Sequence, residues 1–239
     1  MTPTHEPAPK RRSITGQLLL MGHRLGVHPV PHGVDGRSLR WVGPTRPAIL
    51  PLDGLRLPAR IEAILADPAW SVGVGEPRPV VEACSSSQPA ASRDWSEVPP
   101  QSWVEEEMLA AHLELAEAGQ MQAIVCRRNG RFAAGLFGMA IGAVFFGEGL
   151  CSRVRDAGEV ALAELVGRLR AGGFRFVDLH FLGGHTASVE TLENVRGRYR
   201  APESALEAKA KFPAGEEEFW PRAINVDRPG RPLRHVRVA

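Results

Sequence analysis

The sequence predicts an α+β fold, a mixed, mostly antiparallel sheet flanked by helices, with a smaller N-terminal α/β unit ahead of it. Three stretches predict it. Asn129–Gly130 lies between Gln122–Arg127 and Arg131–Phe137, and Asn-Gly between two strand-like runs is the strongest short hairpin signal. Gly135–Gly149 (GLFGMAIGAVFFGEG) is apolar, holds five glycines and carries one charge, Glu148, at its end. Such a run reads as two short buried strands joined by a tight turn near Gly142. Ala157–Ala171 then places Val160, Leu162, Leu165, Val166 and Leu169 in a helical pattern before Gly172–Gly173, which terminates it.

The elements follow in chain order. Residues 1–12 (MTPTHEPAPKRR) have the composition of a disordered tail. Residues 13–54 form the small N-terminal domain, and residues 55–239 the main one. Ile14–Arg24 is a short helix stopped by Gly26, with Pro29 and Pro31 after it. Arg40–Val42 and Ala48–Leu52 are short strands, each ended by a turn pair, Gly43–Pro44 and Asp53–Gly54. Pro58–Ala66 is helical, since proline is tolerated in a first turn. Trp70–Val74 is a strand, Val80–Cys84 a helical turn, and Ser85–Pro100 a Ser/Pro/Ala-rich loop. Ser102 and Glu105 have capping-box spacing ahead of a helix whose apolar stripe is Val104, Met108, Ala111 and Leu115. Gly119 ends that helix. Phe174–Phe181 is a strand carrying Asp178 and His180, and the chain beyond Ala201 is helical for a turn or two.

Composition narrows the function classes. Apolar content of 44% and charged content of 23% are ordinary for a soluble globular protein. A net charge of +2 makes no general case for nucleic-acid binding. Cys84, Cys126 and Cys151 are an odd number, widely spaced, without a CxxC or Cys/His cluster. No metal site is expected from them, and a reducing cytoplasm is the simplest setting. The N-terminus lacks the apolar core of a secretory signal, and no run of about 20 apolar residues exists to span a membrane.

Helix, hairpin, buried strand, helix, strand is the order of the GNAT-like acyltransferase fold, and several ordered motifs carry a closer likeness over residues 17–200. Leu18–Pro31 is similar to LLLxAYRxGIFPMP, and Arg40–Pro44 to RWWSP. Ser102–Trp103–Val104 matches TWI at the start of a helix. Phe132–Ser152 resembles LVGGLYGVAIG…FFGESMFS, Asp156–Leu162 resembles NASKxAL, Val177–His180 resembles IDCQ, and His185–Glu190 resembles HxxSLG. The chain thus resembles the leucyl/phenylalanyl-tRNA–protein transferases, as a divergent member. That resemblance implies a GNAT-like aminoacyltransferase domain moving a Leu- or Phe-like amino acid from tRNA to the α-amino group of a protein beginning with a basic residue, or to a related amine. It implies no cofactor and no metal. Aminoacyl-tRNA and a protein or peptide N-terminus would be its partners, in the cytoplasm, within N-end-rule degradation. The stretch Cys151–Asp156 also lacks the glycine-rich loop that would cradle a CoA pyrophosphate.

Ester aminolysis needs the amine to lose a proton and the 3′-oxygen to gain one. By the resemblance, Asp178 draws a proton from the attacking amine, and Glu148 binds the cationic N-terminal residue of the acceptor. Leu136, Phe145, Leu150 and Leu162 wall the apolar aminoacyl pocket, and Trp103 and Trp41 belong to the substrate-binding motifs. The glycines of 135–149 would let a tRNA end or a peptide backbone approach the sheet. His180 stands where the family has glutamine; residues i and i+2 of a strand share a face, so His180 can meet Asp178 and relay a proton.

Other positions also depart from the family pattern. Gly149 replaces Ser, Gly158–Glu159 replaces Ser-Lys, and His112 and Ala116 replace Tyr and His. His23 and His28 replace Tyr and Phe, and Val42 replaces Trp. The Arg/Lys-rich helix of the family is RLPARIEAILAD here, Arg56–Asp67, which weakens the basic surface for tRNA. Arg11, Arg12, Arg37, Arg40, Arg153 and Arg155 are candidates for a replacement patch. An alternative is a non-catalytic relative that binds a peptide or amino acid in the retained pocket.

Overall fold

The computed structural model describes residues 14–32, 38–43, 49–52, 55, 57–86, 103–178 and 203–215. In chain order the elements are α1 (Gly16–Leu25), β1 (His28–His32), β2 (Ser38–Val42), β3 (Ile49–Pro51), α2 (Ala59–Leu65), β4 (Trp70–Gly75), α3 (Pro77–Ser86), α4 (Trp103–Glu117), β5 (Gln122–Arg128), β6 (Arg131–Ile141), β7 (Val144–Ser152), α5 (Ala157–Ala171), β8 (Phe176–Asp178) and α6 (Glu203–Leu206). The Asn129–Gly130 hairpin forms as expected, with φ of 50° and 73°, the positive values that a two-residue type I′ turn requires. The second turn falls at Gly142, φ 60°, where a Cβ would strike the Leu206 carbonyl.

Six strands form the main sheet in the order β3-β8-β7-β6-β5-β4, with β1 and β2 as a separate ribbon. Every pairing is antiparallel except β7–β8, which α5 joins as a crossover. The chain is therefore α+β with a mostly antiparallel sheet, as expected. Two elements exceed the sequence expectation. β1 forms despite Pro29 and Pro31, which lie opposite Trp41 and Leu39. Residues i and i+2 direct their missing N–H groups to the same side, so a two-stranded ribbon tolerates both. α3 begins at Pro77 and runs ten residues, because its prolines sit in the first turn, where no N–H is needed. Burial of Val80 and Val81 then holds the rest. β3, from the N-terminal region, joins the main sheet as an edge strand.

Helices cover both faces. α5 and α2 bury one face with Leu50, Ile61, Ile124, Leu136, Phe145, Val160, Leu165 and Val177. α1, α3 and α4 cover the other with Ile14, Leu19, Val80, Ala111, Leu115, Phe137 and Met139. Within α5, Arg168 and Glu164 form a fully buried i,i+4 ion pair at 2.7 Å. Arg168 also donates to the carbonyls of Pro213 and Gly215 at 2.8 and 2.9 Å, tying the segment after α6 to this helix.

The glycines of β6 and β7 serve the chain's own packing, a correction to the expectation that they admit a substrate. A Cβ at Gly138 would collide with the Phe146 carbonyl oxygen and the Phe145 ring, and one at Gly149 with the Phe137 ring. Gly138→Ala meets backbone that cannot swing aside, so it is expected to destabilise by about 1–3 kcal/mol, read as a lower urea midpoint with unchanged slope.

Candidate functional site

A one-residue irregularity in β7 builds the site. Phe137 pairs with Gly149 and Gly138 with Gly147, so Glu148 is an extra residue with no partner on β6. Such a bulge re-aims side chains and bends its strand. It also reverses the alternation of β7. Phe145 pairs with Ala140 and Leu150 with Leu136; both β6 partners are even-numbered, so Phe145 and Leu150 share the α5 face although five residues separate them. This explains why Leu136, Phe145, Leu150 and Leu162 fall in one cluster. Leu136, Phe145 and Leu162 are closed core, with Phe145 stacked on Phe212 at 6.2 Å, and Leu150 is half-buried.

Glu148 faces the other way, toward α1 and α4. Its side chain is 1% exposed, with a histidine on each oxygen. Nε2 of His23, from α1, lies 2.7 Å from Oε1. Nε2 of His112, from α4, lies 3.0 Å from Oε2. A buried carboxylate demands such partners. Nδ1 of His23 donates to the Leu19 carbonyl at 2.6 Å, the helical i−4 relation. The rings of His28 and Phe146 pack edge-on against His23 at 4.9 and 5.0 Å, and Phe137 packs edge-on against His112 at 5.3 Å. A cationic acceptor residue expected at Glu148 would therefore meet two occupied oxygens.

Asp178, the last described residue of β8, is in register with Phe146 of β7 and Ile49 of β3, and is 3% exposed. Phe146 and Glu148 are two residues apart on β7, so Asp178 and Glu148 share a sheet face as diagonal neighbours. The predicted aminoacyl-pocket residues lie on the opposite face. His180 lies outside the described residues. Trp103 opens α4, with its side chain also outside them. Trp41, on β2, packs its ring over Gly22 of α1, next to His23.

The sequence pattern did not single out His23 and His112. Their one signal was that each stands at an aromatic position of the resembled motifs. The widely spaced Cys84 and Cys151 also meet, at 2.7 Å between sulfurs. Their shared hydrogen bond pushes the Cys84 thiol up and draws Cys151 down, while burial pushes Cys126 up to about 12. Among the described residues no group of three His, Cys, Asp or Glu side chains is arranged to hold a metal ion, and no helix is long and apolar enough to cross a membrane.

Arg60 of α2 pairs with Asp156 and Glu159 at the start of α5, at 3.1 and 3.8 Å. Those carboxylates put negative charge at the helix end where a pyrophosphate would sit. Arg40, Arg153 and Arg155 are exposed, whereas Arg11, Arg12, Arg37 and Arg56 lie outside the described residues.

Comparison with known proteins places these observations. The family model described as leucyl/phenylalanyl-tRNA protein transferase matches residues 49–202. A leucyl/phenylalanyl-tRNA–protein transferase of Rhodopseudomonas palustris (strain TIE-1) is 34% identical over 218 residues, 90% of this chain and 89% of the relative. One from Dinoroseobacter shibae is 32% identical over 221 residues, 92% of this chain and 94% of the relative. Among solved structures, a GCN5-related N-acetyltransferase from Kribbella flavida superposes with TM-score 0.34 at 17% identity, covering 67% of this chain and 51% of that one; a likeness this loose carries no argument about chemistry. With a family match across more than half its length and relatives a third identical along nearly all of it, the chain belongs to the leucyl/phenylalanyl-tRNA–protein transferase family.

Proposed function

We propose that the protein is an aminoacyltransferase that moves Leu or Phe from the 3′ end of an aminoacyl-tRNA to the α-amino group of a protein or peptide, with a basic residue first in the acceptor, in the cytoplasm. Membership of the family over about nine-tenths of the chain supports the reaction class. The observation that carries the site is the shared face of Asp178 and Glu148, set by the β7–β8 register and the two-residue spacing of Phe146 and Glu148. Asp178 is the carboxylate that steers the acceptor's ammonium group and draws a proton from the attacking amine. Glu148 acts through the histidines on its two oxygens. Leu136, Phe145, Leu150 and Leu162 support the sheet from its far side. Trp41, over Gly22, sets the position of α1 and so of His23. The exposed arginines Arg40, Arg153 and Arg155 form a smaller cationic surface for the tRNA backbone.

Transfer is measured with purified protein, labelled aminoacyl-tRNAs and peptides differing at residue one. Labelled Leu or Phe is expected on Arg- or Lys-initiated peptides. A full aminoacyl-tRNA mixture that labels no amine acceptor would overturn the reading.

A further inference from the structure

The hydrogen bonds around Glu148 determine where the protons sit. A carbonyl only accepts, so Nδ1 of His23, bound to the Leu19 oxygen, carries a proton. Nε2 of His23 and Oε1 of Glu148 then share one further proton, as imidazolium beside carboxylate or imidazole beside carboxylic acid. Neither arrangement leaves a proton on Oε2. His112 must therefore donate from Nε2 to Oε2, and a neutral imidazole that donates from Nε2 has a lone pair on Nδ1. Among the described residues His112 makes no hydrogen bond at that Nδ1. Its side chain is 10% exposed, against 1% for both Glu148 and His23, so His112 has the most accessible side chain of the three.

A base oriented by a buried carboxylate, with its other nitrogen left to take a proton, is the recurring arrangement of proton-transferring sites. We propose that His112 is a general base of the transfer reaction, taking through Nδ1 the proton that the acceptor's ammonium group must lose before it attacks. Glu148 and His23 are positioning residues that hold its tautomer. The inference rests on the transfer reading above.

The proton balance has room for it. The acceptor arrives as R–NH3+. Attack forms the C–N bond and breaks the C–O3′ bond. The product amide keeps one of the three N–H protons, the 3′-oxygen takes one, and one leaves for solvent. His112 takes the last and releases it to water. Asp178, more deeply buried, handles the proton that stays within the site.

The titratable groups around His112 are few. Glu148 faces it from β7, His23 lies behind Glu148 on α1 with His28 of β1 against it, and Asp178 of β8 shares the sheet face. On α4 itself, Glu107 and Glu114 accept from the amides of Ile14 and Gly16, and Glu117 pairs with Arg78.

The test is single-turnover transfer to an Arg-initiated peptide by wild type, His112→Gln and His112→Ala, from pH 6.5 to 8.5. His112→Gln keeps an N–H donor for Glu148 and removes the base. Its rate is expected to fall about a hundredfold at pH 6.5. The deficit is expected to shrink to about fivefold or less at pH 8.5, above the α-amino pKa of about 7.7–8.0, where the amine arrives neutral. Imidazole in the buffer is expected to restore part of the His112→Ala rate. A merely structural role gives a deficit that pH and imidazole leave unchanged. That result, or a His112→Gln rate within about threefold of wild type throughout, overturns the inference and leaves the transferase reading standing. No transfer by wild type overturns both.

Discussion

Asp178→Asn is expected to lower the rate of aminoacyl transfer by about 10²–10⁴-fold, the usual contribution of a positioned proton-transferring group, with little change in melting temperature. The physical basis is its placement. Asp178 lies on β8, which pairs in parallel with β7, in register with Phe146. That register puts it on the face that carries Glu148, His23 and His112. Asparagine keeps the volume and the hydrogen-bonding shape but loses the charge that draws an ammonium group and the lone pair that takes its proton. Single-turnover transfer with saturating aminoacyl-tRNA reads the chemical step, and thermal unfolding reads the fold. A variant with transfer near the wild-type rate would remove Asp178 from the mechanism. One that melts much lower would mark it as a structural carboxylate.

The second large effect is on stability. Arg168→Met is expected to cost about 3–5 kcal/mol, because it leaves the Glu164 carboxylate buried without its 2.7 Å partner. It also removes the donors to Pro213 and Gly215. At roughly 2–4 °C per kcal/mol for a chain of this size, the midpoint should fall by about 6–20 °C. The paired replacement Glu164→Leu with Arg168→Met should recover most of that loss, since both charges then leave the interior together. Proteolysis after α6 separates the two contributions: the double variant regains stability, but the 213–215 segment still lacks its anchor and is cut faster. Equal stabilities of single and double variants would show that the carboxylate is solvated on loss of its partner.

Much of this molecule is legible in local sequence. Asn129–Gly130 forms its type I′ turn because only residues tolerant of positive φ close a two-residue hairpin. Ala157–Ala171 forms the expected helix over the same residues, because its apolar spacing and the Gly172–Gly173 stop agree. β1 was not legible, since proline argues against a strand until its partner strand shows which side its missing N–H groups face. The burial of the i,i+4 pair Glu164–Arg168 is a matter of tertiary packing: the Arg168 guanidinium approaches Gly73 of β4 and donates to the carbonyls of Pro213 and Gly215.

Sequence alone determined the fold class, the order of the elements apart from β1, and the family likeness, and it singled out the two carboxylates Asp178 and Glu148. Those follow from patterns a few residues long and from ordered motifs. What each carboxylate faces was decided by tertiary structure. A single extra residue in β7 leaves Glu148 on the face of Phe146, toward α1 and α4, and sends Leu150 to the opposite face. The two histidines that fill its oxygens come from helices 125 and 36 residues away. No local pattern reports a bulge or a contact at that separation, because both depend on groups far apart in the chain, and a buried carboxylate is tolerated only where the fold brings it hydrogen-bond partners.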